Sequence, residues 1–362
     1  MEYPLELLLN LLKIYSPSGK EGKISEFIAS ELNRLGFNVK VDEVGNVEAS
    51  LGTGRPHVLL CGHMDTIKGF IKPRIRGRVI FGRGAVDAKA PLAALICGAK
   101  KFSEVNEKGK ITILAVVDEE KNSTGIKHFL NRCNEEYDYA IFGEPSGAYG
   151  LTIGYRGRLL FKISCITESG HASVPQFFEN AIYLAKDVIN ELQMLEQRWE
   201  GLEKERFWTP SLCVTKIRGG EYHNTVPSHC NMIIDVRVPP MMRNDVEREI
   251  LSALEKFLKT EKVSISLLDE CEPFLVQENS ELIEAFVQAI REIAGVDCKF
   301  HRKTGSGDVN EFIKKFNIPC VVYGPGNSKL SHTKKENISI KEYLESIEII
   351  KNALIKLFQK WH

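Results

Sequence analysis

His57-Val-Leu-Leu-Cys-Gly-His63-Met-Asp65 is the stretch on which the fold turns. It reads as a short apolar strand that runs into a glycine and a histidine, with a carboxylate two residues further on. Residues 111–117 are a continuous apolar run, the pattern of a strand in a sheet covered on both faces, and they lead into Asp118-Glu119-Glu120. Residues 139–142 are a third buried strand, followed by Gly143-Glu144-Pro145. Gly84-Ala-Val-Asp87 closes in a glycine-bounded loop ahead of a helical stretch over 91–102. Strands alternating with helices predict an α/β core. In open α/β sheets ligand sites gather beyond the strand ends, so side chains far apart in the chain are expected to converge.

Outward from this core, Leu5, Leu8, Leu9 and Leu12 keep a helical period, and Tyr15-Ser-Pro-Ser-Gly19 breaks it. Ile24, Phe27, Ile28, Leu32 and Leu35 mark a second helix ended by Gly36. The character changes after Gly150. Strands are expected over 159–166, 212–217, 231–238 and 263–268, with helices over 178–199 and 246–258. Two helices on a four-strand, antiparallel sheet make an inserted α+β domain. The α/β pattern resumes near Leu282, with a strand over 319–323 and a closing helix over 340–361. The expected division is a discontinuous catalytic domain, 1–152 and 270–362, and an inserted domain, 153–269.

The chain has 362 residues, long enough for two domains. Its 48 basic and 48 acidic residues balance, which argues against a nucleic-acid binder. The nine cysteines form no C-x-x-C pair and suit a reducing cytosol, so a cytoplasmic protein is expected. No apolar run approaches the roughly 20 residues that cross a bilayer, and residues 1–12 lack the basic start of a signal peptide. No membrane association is expected.

The polar residues at the strand ends are of metal-ligand type. His63, Asp87, Glu144 and the pair Glu119-Glu120 offer imidazole nitrogen and carboxylate oxygen, both of which zinc accepts. Two zincs about 3.5–4 Å apart can share a carboxylate and clamp nucleophile and leaving group. A further carboxylate can take a proton from water and pass it to a leaving amine, so Glu119 and Glu120 divide base and ligand between them. Asp65 is placed to hydrogen-bond the ring nitrogen of His63 that faces away from metal. Individually, Asp87 could be a helix N-cap and Glu144 a turn residue. His332, in the loop after 319–323, would complete the set at one histidine per metal.

His63-x-Asp65, Gly-Arg-Gly-x-x-Asp87, Glu119-Glu120, Gly-Glu144-Pro and the late His332 together resemble the co-catalytic di-zinc aminoacylase and carboxypeptidase family. Succinyl-diaminopimelate desuccinylase and acetylornithine deacetylase belong to it. The resemblance implies a zinc-peptidase-like mixed-sheet catalytic domain with an inserted ferredoxin-like lid and dimerisation domain. It implies two Zn2+ per subunit, replaceable by Co2+ or Mn2+. His63 and Glu144 would hold one ion, Glu120 and His332 the other, and Asp87 would bridge them. Glu119 would be the general base for a hydroxide held by both metals, and a cis peptide would follow Asp87. Ser-Gly-His171 resembles the family's oxyanion-stabilising histidine. Asn224-Thr-Val-Pro with Asp235-Val-Arg237 resembles the signature of the same inserted domain. Arg156, Gly305 and Ser306 match positions that grip a substrate carboxylate.

Gly84-Ala-Val-Asp87-Ala-Lys89-Ala-Pro, Tyr155-Arg-Gly, Arg302-Lys-Thr-Gly and Tyr323-Gly-Pro-Gly-Asn-Ser look like one branch of that family. That branch releases lysine or ornithine from an acidic amino-group carrier protein in lysine and arginine biosynthesis. Gly307 departs from the branch and bears on the shape of the substrate pocket. Between Lys68 and Lys89 stand seven basic residues and one acid, Asp87, a basic rim suited to steering an acidic partner. Arg156, Arg158, Arg302 and Lys303 are expected to join it. The rival readings are a deacylase or dipeptidase of small free substrates, and a metal-binding interaction module without catalysis. A homodimer is expected by resemblance.

Overall fold

The computed structural model describes residues 2–106, 108–201 and 203–361. Among them no helix is long and apolar enough to cross a membrane. The chain divides into two compact units, one of Met1–Ile153, Val276–His301 and Gly307–His362, the other of Gly154–Leu275 and Arg302–Ser306. Residues 270–275 and 302–306, assigned from sequence to the catalytic domain, thus group with the second unit.

The first unit is built on a mixed sheet. Its successive neighbours are Asn38–Val41, Val47–Thr53, Gly109–Val116, His57–His63, Tyr139–Phe142, Cys320–Val322 and Gly150–Tyr155. The four central strands, Gly109–Val116 through Cys320–Val322, run parallel, so their carboxyl ends lie side by side. Every residue of His57–His63 is buried, as its apolar run requires. Helices Lys89–Ser103 and Ile340–Gln359 pack together, the first buried over most of its length and the second along one face. Gly98 permits the close approach: a Cβ there would lie 2.6 Å from Ile350 Cγ2. Each fully buried aliphatic side chain in this core contributes roughly 1.5–3 kcal/mol relative to exposure.

The second unit carries the antiparallel sheet Ser211–Gly219, His229–Val238, Gly157–Ile166, Val263–Cys271, in that order. Alternate residues Leu159, Phe161, Ile163 and Cys165 are buried with Leu184, Val188 and Leu192 of helix Ala181–Trp199 and Ile250 of helix Arg243–Leu258. The first of these helices starts three residues later than its apolar period predicts, because the Asn180 side chain accepts from Ile182 N and caps it there.

Candidate metal centre

The parallel register explains how the candidate ligands meet. His63 ends its strand opposite Val116, three residues before Glu119, and Gly143 N donates to Cys61 O at 2.7 Å, so Glu144 leaves the sheet beside them. His63 Nε2 lies 3.3 Å from Asp87 Oδ1 and 3.5 Å from Glu144 Oε1. His332 Nε2 lies 2.9 Å from Glu120 Oε2 and 3.4 Å from Asp87 Oδ2. The side chains form two groups, His63-Asp87-Glu144 and Asp87-Glu120-His332, each with ligand atoms within 4.8 Å of one another. Asp87 belongs to both and turns one oxygen towards each histidine.

This donor set fits paired divalent cations. Two donors about 2.0–2.1 Å from one tetrahedral zinc lie about 3.3–3.4 Å apart, which is the spacing of the Asp87–histidine pairs. One imidazole per group with shared carboxylates suits zinc, cobalt or manganese. Asp87 is not the cap of the following helix. Helix Lys89–Ser103 has Ala88 at its N-cap with no side-chain bond, and the Asp87–Ala88 peptide is cis.

Asp65 does more than the sequence suggests. Its carboxylate is fully buried, and His63 Nδ1 lies 3.0 Å from its backbone oxygen and 3.3 Å from Oδ1. The same carboxylate accepts from Glu119 N at 3.1 Å, Glu120 N at 3.2 Å and Ser18 Oγ at 2.7 Å. One group thus orients the first histidine and the base-bearing loop together. That loop enters through Asp118 at φ 61°, a left-handed conformation costly for a residue with a Cβ, and Asp118 N is held by Glu21 Oε1 at 3.1 Å. Ser18, Glu21 and the buried Glu336 were not read as site residues; the one available hint was that Glu336 is a carboxylate four residues after His332.

Glu119 belongs to neither ligand group. Burial pushes its carboxyl well above the ordinary range; Glu144, Asp308 and Glu120 add to this and His63 opposes it. A Cβ on Gly307 would lie 3.6 Å from Glu119 Oε1, so the position that departs from the branch abuts the candidate base rather than only shaping a pocket.

The metal-free chain holds protons where metal would bind. Bonds to Asp87 and Glu120 raise His332 to about 10. Burial alone would lower His63, but Asp65, Asp87 and the nearby carboxylates outweigh it and hold it well above its usual value. A histidine raised in this way stabilises the metal-free fold fully below its unfolded pKa of about 6.5. For His332 that contribution disappears as pH rises towards about 10. Cation binding needs neutral imidazole. Loading at pH 7.5 is therefore expected to release protons, and affinity to rise with pH. Calorimetry in two buffers of different ionisation enthalpy checks this; identical heats would contradict it.

The other predicted positions lie in the second unit. His171 is exposed and pairs across a short ribbon with Thr225, next to Asn224, whose carbonyl accepts from Ala172 N at 2.9 Å. Its Nδ1 is 2.6 Å from Ser173 Oγ. Arg237 lays Nε and Nη2 on Asp235, at 2.6 and 3.1 Å, and donates from Nη1 to Ser306 Oγ at 3.2 Å. Gly305 precedes that serine in an exposed loop. Arg156 was expected at a substrate carboxylate. Its guanidinium is buried and donates to Thr304 O at 3.0 Å, Thr209 O at 2.9 Å and Ser211 Oγ at 3.1 Å. Through Nε and Nη1 it ties three segments of this unit together.

Comparisons with known proteins give the family. Residues 59–356 match the model of peptidase family M20/M25/M40. This chain belongs to that family. It is a metallohydrolase of amide bonds. The chain is 35% identical over 356 residues to a [LysW]-lysine/[LysW]-ornithine hydrolase of Sulfurisphaera tokodaii, covering 98% of this chain and 96% of the relative. It is 32% identical over 358 residues to the protein of the same name from Saccharolobus islandicus strain Y.N.15.51, with 98% and 96% covered. Among solved structures, the M20 metallo-carboxypeptidase Sso-CP2 of Sulfolobus solfataricus superposes with a TM-score of 0.82 at 18% identity, over 99% of both chains. A dinuclear metal-binding M20 peptidase of Bacillus subtilis gives 0.72 at 15% identity, over 98% of both. These two show the shared M20 fold.

Proposed function

We propose that this M20 enzyme releases lysine or ornithine from an acidic amino-group carrier protein, using two divalent cations per subunit, zinc by preference with cobalt or manganese as substitutes. The reaction class rests on one observation, that Asp87 serves both ligand groups while Glu119 stands outside them. The substrate rests on full-length similarity to relatives whose names specify [LysW]-lysine and [LysW]-ornithine. When bound, the cations would supply Lewis acidity, polarising the amide carbonyl and acidifying water. Glu119 takes the proton of the attacking water and gives it to the departing amine. Asp65 keeps Glu119 and His63 in register. From the second unit, His171 is the proposed donor to the oxyanion, and Arg237 with Ser306 the proposed carboxylate grip.

A basic surface supports an acidic partner, with fewer cations than the sequence count suggests. Lys68, Lys72, Arg74, Arg76 and Arg78 are exposed around the hairpin of Arg74–Arg76 and Val79–Phe81. Arg83 is buried against Glu336 at 2.8 Å, and Lys89 donates inward to Leu11 O and Ile14 O. Arg158 pairs with Asp269. A homodimer is also proposed. It is supported by the solvent-facing edge strand Ser211–Gly219 and by exposed Phe177, Tyr183, Ile217 and Tyr222 in the same unit.

The test is a substrate panel with the metal-loaded enzyme. Carrier-linked lysine and ornithine should exceed acetylornithine and succinyl-diaminopimelate in kcat/KM by about 100-fold, and the carrier rate should fall with added salt as exposed cations are screened. Equal or faster turnover of a small acylated substrate would overturn the carrier reading in favour of a free-substrate deacylase.

A further inference from the structure

We infer that Glu336 is a positioning residue of the metal centre, setting where Asp87 stands between the two ligand groups. The inference rests on the di-metal reading. Glu336 is fully buried. Its Oε1 accepts three backbone amides of one loop, Gly84 N at 3.0 Å, Val86 N at 2.9 Å and Asp87 N at 2.9 Å. Its Oε2 accepts from Arg83 Nη1 at 2.8 Å, and Arg83 Nε is spent on Gly69 O. The acid thus lies in a cradle of amides closed by a guanidinium, an arrangement that needs a group with acceptors only.

The loop in this cradle carries Asp87. To serve both groups, Asp87 must keep Oδ1 by His63 and Oδ2 by His332, at 3.3 and 3.4 Å. Its own amide is one of the three that Glu336 holds, so a rotation of the loop would move both oxygens. Glu336 also follows His332 by four residues. Its carbonyl accepts from Gly82 N, and Asn337 pairs with Phe81 in the adjoining strands. One residue therefore links the segment that supplies His332 to the segment that supplies Asp87, some 250 positions earlier. A glutamine would keep the shape but turn a donor towards Arg83 or the amides, and would leave the arginine charge unmatched. Groups that orient metal ligands in this way typically cost 10–100-fold in metal affinity or activity when changed.

The experiment titrates cobalt into the metal-stripped full-length protein and follows visible absorption, with ions per chain counted by mass spectrometry. Glu336→Gln is expected to weaken the more loosely held ion by about 10–100-fold and to shift the cobalt bands. It should lower kcat with KM within about twofold, because no substrate contact is involved. Two cobalt ions bound with wild-type affinity and unchanged bands would overturn the role. Glu336→Asp, which keeps the charge on a shorter arm, decides the matter if the glutamine variant does not fold: it should weaken the same ion, and wild-type titration would overturn the role. If neither variant folds, Glu336 is a structural residue only and the inference falls. A wild-type chain that takes up fewer than two ions overturns the di-metal reading itself, whatever the variants do.

Discussion

Glu119→Gln is expected to lower turnover by about 10²–10⁴-fold while both cations stay bound. Glu119 is absent from both ligand groups, yet Glu120, next along the chain, is a member of one. Chemistry and metal retention should therefore separate at adjacent positions. The glutamine keeps the size of the side chain, and the backbone stays fixed because Asp65 holds the amides of Glu119 and Glu120. What disappears is the capacity to accept a proton from water and return it to the amine. Turnover is read from released amino acid, and metal content by mass spectrometry on the same sample. Activity within about tenfold of wild type, with metal retained, would remove Glu119 as the base.

Asp87→Ala should have the larger effect on metal. His332→Ala removes a ligand from one group, whereas Asp87→Ala removes one from each. Both cations are expected to be lost at micromolar concentrations and activity to fall by at least about 10³-fold. His332→Ala should spare the His63 group and keep close to one ion. Metal analysis after dialysis, beside thermal melting with and without added zinc, makes the comparison. An Asp87→Ala protein that still holds two ions would show that the carboxylate is not shared.

Much of the centre could be read from the chain because each ligand lies where a strongly patterned element stops. The apolar runs before His63, Glu119 and Glu144 predict buried strands of an α/β core, and in the structure these strands are parallel and bring their ends together. The residues that hold the ligands in place were harder to read. Asp65 was legible as a partner of His63 from its spacing, but its bonds to the Glu119 and Glu120 amides follow from strand register, which has no local signature. Glu336 bonds to a loop 250 residues away, and nothing in its own neighbourhood specifies that. Charge counting failed where burial decided the outcome. Arg83 and Lys89 look like members of a basic rim, but the first neutralises Glu336 and the second caps carbonyls at the end of helix Tyr3–Lys13. Arg156 shows a related ambiguity: an arginine after a strand suits either a substrate carboxylate or unpaired carbonyls, and only the fold supplies Thr304 and Thr209. The unit boundaries shifted because five residues, 302–306, return to the second unit between two stretches of the first.

The order of the ligands along the polypeptide has a consequence for biosynthesis. His63, Asp87 and Glu144 are all encoded in the first 144 positions, before the second unit begins. His332, and the Glu336 that braces Asp87, follow only after the 154–275 segment of the second unit. Because segments emerge from the ribosome amino terminus first, a half-made polypeptide already owns every donor of one cage and lacks a donor of the other. On the di-metal reading, hydrolytic competence therefore waits for the segment that carries His332 and Glu336 to pair with the Asp87 loop.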